Sequence, residues 1–166
     1  MRKRQRNSEC GFTLMEVMIV GAIISTLAAI AIPNYLRWNA QYKLKQEMTT
    51  LMSNLNLARM IAINRNVAVT VTLANGITDP ADGAQKVTAS FAPAVIPDQR
   101  MGKAGVVTLA NTTPSGNLPM TITFNSLGTQ LGGAQTFTLT NRDGVVYSAR
   151  VMPTGKVTWC PKSTCP

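Results

Sequence analysis

The chain has 166 residues, of which 45% are hydrophobic and 14% charged, and this excludes a disordered chain. Histidine is absent and only seven acidic residues are present, which removes His-based triads, His metal sites and the commonest general base. The net charge of +9 points to an anionic partner, but four of the sixteen basic residues (Arg2, Lys3, Arg4, Arg6) stand in the first nine positions. Without residues 1–9 the chain keeps twelve basic and six acidic side chains, a weaker excess.

After this basic block comes an apolar run over residues 14–32 whose only charge is Glu16. It holds no proline and one glycine, Gly21, so a continuous helix is expected. At about 1.5 Å per residue its length approaches the roughly 30 Å of a bilayer core. The basic block keeps the N-terminal end in the cytoplasm and places the C-terminal bulk on the other side. A secretory signal cut near Ala28-Ala29-Ile30-Ala31 and a plain single-pass anchor are the alternatives. Glu16 is the telling residue, because a carboxylate in a membrane helix costs about 2.5–3.5 kcal/mol, and in a plain anchor it would be accidental. If the chain were cut between Gly11 and Phe12, the new amine would begin the helix. Its positive charge is unfavourable there unless a carboxylate compensates it, and Glu16 of the same or a neighbouring chain can do so.

The segment Cys10-Gly11-Phe12-Thr13-Leu14-Met15-Glu16, with its basic leader and apolar helix, resembles a type IV prepilin signal. The resemblance implies cleavage after Gly11 by a prepilin peptidase, N-methylation of Phe12, and a role for Glu16 in assembly. Pro33 falls where many pilins carry a helix-kinking proline. The implied organisation is a leader over 1–11, a transmembrane and polymerisation half-helix over 12–33, an amphipathic half-helix over 34–66, and a periplasmic β-rich head over 67–166.

The helical pattern continues beyond the apolar run. Leu44, Met48, Leu51, Leu55, Ala58 and Ala62 are spaced four and three apart, which puts them on one face. Residues 12–64 therefore read as one helix of roughly 80 Å, apolar all round in its first half and amphipathic in its second. Pro33 removes a backbone donor and should kink or soften it. Arg59 and Arg65 are expected to cap the helix's C-terminal end by favouring its negative dipole, with binding of a partner as the alternative.

From residue 67 the period changes to two. Val67, Val69, Val71 and Leu73 alternate with Ala68, Thr70 and Thr72, and Asn75-Gly76 reads as the turn that follows. Further strands are expected over 86–91, 106–110, 120–125, 136–140, 145–152 and 157–160, with a hairpin turn at Asn141-Arg142-Asp143-Gly144. The fold class is α+β: a long N-terminal helix packed on a small antiparallel sheet or sandwich, as in type IV pilins.

Cys10 lies in the leader and is lost on cleavage. Cys160 and Cys165 remain in a head placed outside the cytoplasm, where disulfides persist, so a Cys160–Cys165 bridge is expected. The alternative, a metal site, would need ligands beyond two thiols.

Residues 55–67, with Leu55, Ala58, Arg59, Ala62 and Ile63, resemble the end of the long helix in the GspH/FimT family of minor pseudopilins. Ile122-Thr123-Phe124, Gly128, Phe137-Thr138-Leu139, Gly144 and the closing Gly155-Lys156-Val157 resemble its sheet. The resemblance implies a minor pilin or pseudopilin that helps initiate or prime a type IV pilus or a type II secretion pseudopilus. Its partners would be other pilins or pseudopilins, the prepilin peptidase, the bacterial inner membrane and its assembly platform, with no cofactor and no enzyme activity. A major pilin is a variant of the same reading. Some FimT-branch members bind DNA through a Gly-Arg-x-Arg motif, from which Gly155-Lys156-Val157-Thr158 departs by losing the second basic residue. Lys156, Lys162, Arg150 and Arg142, near Trp159, are the residues through which a DNA receptor would act. The departure favours solvated charges instead. Asp79, Asp82 and Asp98 are the acids available to an enzyme, and no base or nucleophile accompanies them.

Overall fold

The computed structural model describes residues 12–78, 85–94, 96–102, 108–113, 118–163 and 165. The leader, Asp79 and Asp82 lie outside the described residues. The chain divides into two units, Met1–Arg37 and Trp38–Pro166.

In the first unit the described residues belong almost wholly to helix α1 (Leu14–Arg65), which runs on through Pro33 into the second unit. The helix contains an 18-residue window of mean hydropathy 2.2, none of it buried. Composition and length therefore suit it to cross a membrane. The two hydroxyl residues of its apolar run over 14–32 satisfy themselves locally: Ser25 Oγ donates to the Ala22 carbonyl at 2.9 Å and Thr26 Oγ1 to the Ile23 carbonyl at 2.8 Å. No lone hydroxyl donor is left there to face hydrocarbon.

The second unit is built on the later turns of α1. Leu44, Met48, Leu51, Leu55, Ala58 and Ala62 are all buried, as their spacing predicts, and Met52 joins them. The helix ends in a Schellman motif rather than by charge alone. Asn66 takes a φ of +53°, its N–H donates to the Ile63 carbonyl at 3.3 Å, and Val67 N–H donates to the Ala62 carbonyl at 3.2 Å. Asparagine tolerates this left-handed position better than most residues.

Among the described residues nine strands follow, β1 (Val69–Thr78), β2 (Gln85–Ala92), β3 (Gln99–Met101), β4 (Thr108–Thr113), β5 (Met120–Phe124), β6 (Gln130–Leu131), β7 (Gln135–Thr140), β8 (Val146–Val151) and β9 (Val157–Cys160). They form two antiparallel sheets, ordered β3-β2-β1-β5-β6 and β4-β7-β8-β9. Val69, Val71 and Leu73 point inward from β1, and Met120, Ile122 and Phe124 from β5, as β-strand alternation requires. Phe137, Leu139, Ala149 and Val151 face the same core from the second sheet, which joins the buried stripe of α1 in one cluster. Each large apolar side chain so buried contributes roughly 1.5–3 kcal/mol over its exposed state.

One expected turn is overturned. Asn75-Gly76 does not end β1, which continues to Thr78 with a register shift between Asn75 and Thr78. The reason is a long-range partner. Asn75 Oδ1 accepts the Leu109 N–H at 3.0 Å, and Asn75 Nδ2 donates to the Leu109 carbonyl at 3.3 Å. A side-chain amide thus takes the place of a strand and joins the first sheet to β4 of the second.

Three turns share one geometry. In 125–129, 141–145 and 152–156 the first N–H donates to the fifth carbonyl, and the fourth residue, a glycine of positive φ, donates back to the first carbonyl. Asn125 and Asn141 reinforce the first two, each accepting two further backbone N–H groups on Oδ1.

Candidate assembly site

Thr13 begins α1. Its hydroxyl oxygen accepts the Glu16 N–H at 3.3 Å, and its carbonyl accepts the N–H groups of Glu16 at 3.1 Å and Val17 at 3.3 Å. Thr13 is therefore the N-cap and Glu16 the third helical residue, the spacing of a capping box. A carboxylate in the first turn is favoured by the positive end of the helix dipole. The Glu16 side chain is exposed, and among the described residues nothing pairs with it. Phe12, two residues before the helix, is 81% exposed. Gly11, the other half of the expected cleavage site, lies outside the described residues. The structure thus presents an exposed carboxylate in the first turn of a helix whose apolar window is unburied.

Arg59 departs from its expected role. It does not cap its own helix: Nε donates to the Gly128 carbonyl at 2.8 Å, and one terminal nitrogen donates to the Thr154 carbonyl at 2.9 Å. Gly128 belongs to the β5–β6 turn of the first sheet and Thr154 to the β8–β9 turn of the second. The guanidinium fork, planar and multiply donating, holds both loops to the helix. Close by, Gln130 N–H donates to the Pro153 carbonyl at 2.9 Å, a further tie between the sheets. Arg65 does lie in the last turn of α1, where a basic residue suits the dipole.

The basic residues named for DNA divide by the register of the second sheet. Val151 pairs with Val157, so Lys156 and Arg150 lie toward the β8–β9 turn. Ser148 pairs with Cys160, which carries Lys162 toward the other end of β8, the end that Arg142 occupies in the β7–β8 turn. Register thus sets the four residues as two pairs toward opposite ends of the strands. Arg150 is half-buried, with Nε enclosed and without a hydrogen-bond acceptor.

Cys160 and Cys165 form the disulfide, with Cα atoms 5.7 Å apart. The bridge folds the tail back on β8, and the Ser148 hydroxyl lies 3.1 Å and 3.0 Å from the two sulfurs. Trp159, just before the bridge, packs against Tyr147 with ring centroids 5.6 Å apart.

A long apolar-led helix whose later turns form the core of a two-sheet antiparallel head defines a type IV pilin-like protein. The family model described as Type II transport protein GspH matches residues 47–155, and the chain belongs to that family. A prokaryotic N-terminal methylation motif matches residues 6–32. The family is one of structural pilins. The Type IV major pilin protein PilA of Myxococcus xanthus is 56% identical over 41 residues, 25% of this chain and 19% of that protein. A fimbrial protein of Moraxella nonliquefaciens is 37% identical over 98 residues, 59% of this chain and 60% of that protein. The chain thus spans less than two thirds of either relative. The type IV minor pilin FimU of Pseudomonas aeruginosa, in two crystal forms, has the same fold at TM-scores of 0.53 and 0.51. Sequence identity to it is 17% and 15%, over 76% and 74% of this chain and 94% and 96% of the FimU chains.

Proposed function

We propose that this chain is a minor pilin or pseudopilin that helps initiate or prime a filament. The Glu16 carboxylate, exposed and without a partner among the described residues, in the first turn of a helix whose apolar window is unburied, carries this reading. In it, a prepilin peptidase cuts after Gly11 and the new Phe12 amine is N-methylated. The apolar half of α1 holds the subunit in the inner membrane, with the head on the periplasmic side. Glu16 then pairs with the Phe12 amine, its own or that of a neighbouring subunit, and fixes the register in which the subunit leaves the membrane. In hydrocarbon such a pair is favoured because either charge alone is costly. Other pilins and the assembly platform are the partners. The family match over the head supports a minor subunit, although the short relative in PilA is described as a major pilin.

Quantitative mass spectrometry of sheared filaments, from wild-type and deletion strains, tests the reading. The expected result is a trace amount of a peptide with N-methylated Phe12, and loss of filaments in the deletion. Absence from filaments, together with secreted enzymes retained in the periplasm of the deletion strain, would assign the chain to a type II secretion pseudopilus. A full complement of filaments and secreted enzymes in the deletion strain would refute the priming role.

A further inference from the structure

Both tryptophans and two of the three tyrosines of the chain gather at one place on the head. Trp38 and Tyr42 stack with centroids 6.0 Å apart and planes inclined by 29°, and Tyr147 packs on Trp159 at 5.6 Å. Trp38, Gln41, Tyr42, Lys45 and Tyr147 line a groove of about 300 Å³. Trp38 is 62% exposed and Tyr42 60%. The stacked pair is thus held in place on one side and open on the other. Two large rings exposed together mark a contact surface.

Charge and position say what covers it. From residue 17 to residue 46 there is no acidic side chain, while Arg37, Lys43 and Lys45 are basic. Before it pairs, the Glu16 carboxylate is costly in hydrocarbon and is held at the inner polar edge. This shifts the span from the expected 12–33 and leaves about 20 helical residues to cross a core of roughly 30 Å. That places Leu36 at the outer edge of the core and Trp38 about 3 Å beyond it. The Tyr42 backbone follows at about 9 Å, just past a headgroup layer of roughly 5–8 Å, into which its side chain reaches by leaning toward the helix N-terminus. Indole and phenol rings prefer this layer, and lysine extends its ammonium along such a surface. An anionic surface attracts the positive charge.

We propose that this groove is a lipid-headgroup site that seats the head on the membrane before assembly. Trp38 and Tyr42 lie among the headgroups, and the Lys45 ammonium meets the phosphate of an anionic phospholipid. The proposal rests on the reading that residues 17–36 span the bilayer.

The test uses the full chain, reconstituted in vesicles of equal parts phosphatidylglycerol and phosphatidylcholine, with Trp159→Phe leaving Trp38 as the sole indole. Lipids brominated near the glycerol end, or near the acyl terminus, report depth by quenching. A control chain with Trp38→Phe, Trp159→Phe and Leu27→Trp reports the span itself. The expected result is deep quenching of the control and roughly twofold stronger shallow than deep quenching of Trp38. Bromine carried on phosphatidylglycerol should quench Trp38 more than bromine on phosphatidylcholine, and Lys45→Gln should remove that preference. A quenched control with an unquenched Trp38, with no preference between the lipids, or with a preference that survives Lys45→Gln, overturns the site and leaves membrane anchoring standing. An unquenched control overturns both. The wild-type chain gives an independent reading: acylation of Lys45 by a water-soluble reagent should slow several-fold in the mixed vesicles relative to phosphatidylcholine alone. Equal rates would also overturn the site.

Discussion

Asn75 and Leu109 pair as two strand residues would, although one of them contributes only its side chain. The amide of Asn75 accepts from and donates to the backbone of Leu109, at 3.0 and 3.3 Å, across 34 residues of sequence. Leu109 is 2% exposed, so its N–H and carbonyl have little access to water. Asn75→Ala should leave both unsatisfied and cost about 1–3 kcal/mol. Urea denaturation of the detergent-solubilised chain would read this as a lower midpoint with an unchanged slope.

Gly155 and Gly144 offer a controlled comparison. Both adopt a φ of +77° in turns of the same form. A Cβ on Gly144 would meet nothing within 4 Å, whereas one on Gly155 would fall on the Gly128 carbonyl oxygen and lie 2.8 Å from Arg59 Nε. Gly144→Ala should cost about 1 kcal/mol, the strain of a left-handed alanine. Gly155→Ala should cost at least about 2 kcal/mol more, because backbone must move and the Arg59 fork must open. Equal losses in thermal melts would show that the close approach does not matter.

Arg59→Ala should free the β5–β6 and β8–β9 turns together. Two charge-assisted hydrogen bonds are lost, and their partly exposed setting limits the cost to about 2 kcal/mol. Arg59→Lys should recover only part of it, since one ammonium does not reproduce the fork. Hydrogen exchange at the Gln130 amide, which bonds from the start of β6 to the β8–β9 turn, is the direct readout.

Glu16→Ala should be cleaved and methylated normally yet enter filaments about tenfold less well or worse, the loss of a charge pair in a low-dielectric setting. Comparing processed subunit in the membrane with subunit in sheared filaments separates the two steps. Equal incorporation would remove Glu16 from the proposed register mechanism.

Reduction of Cys160–Cys165 should release the tail without unfolding the sheets. The bridged residues are only five apart in sequence, so chain entropy limits the loss to roughly 2 kcal/mol. Thermal melts with and without reductant should show that shift, accompanied by altered Trp159 emission as its packing on Tyr147 loosens.

What was legible in the sequence was what repeats locally. The stripe from Leu44 to Ala62 announced itself by spacing, because one helix face meets one core. The inward positions of β1 and β5 followed from alternation. β3 and β6, three and two residues long, were missed. Gln99-Arg100-Met101 and Gln130-Leu131 carry no β-branched alternation, and their extended form comes from pairing with β2 and β5. Asn75 misled because its partner is distant, and turn statistics describe only neighbours. Arg59 misled for the same reason: its acceptors lie 69 and 95 residues away. The helix ends at Arg65, one residue past the expected end at Asn64 and within the usual uncertainty of helix termini.

The fork of Arg59 also has a mechanical meaning. The later turns of α1 run along the core, and the guanidinium binds one turn of each sheet near their far end. A pull transmitted along the helix axis therefore loads the buried stripe and both turns at once. The apolar contacts must slide together instead of parting one after another, and neither sheet can be peeled away while the other holds. A subunit built this way resists axial tension with its whole core, the two bonds of Arg59 included.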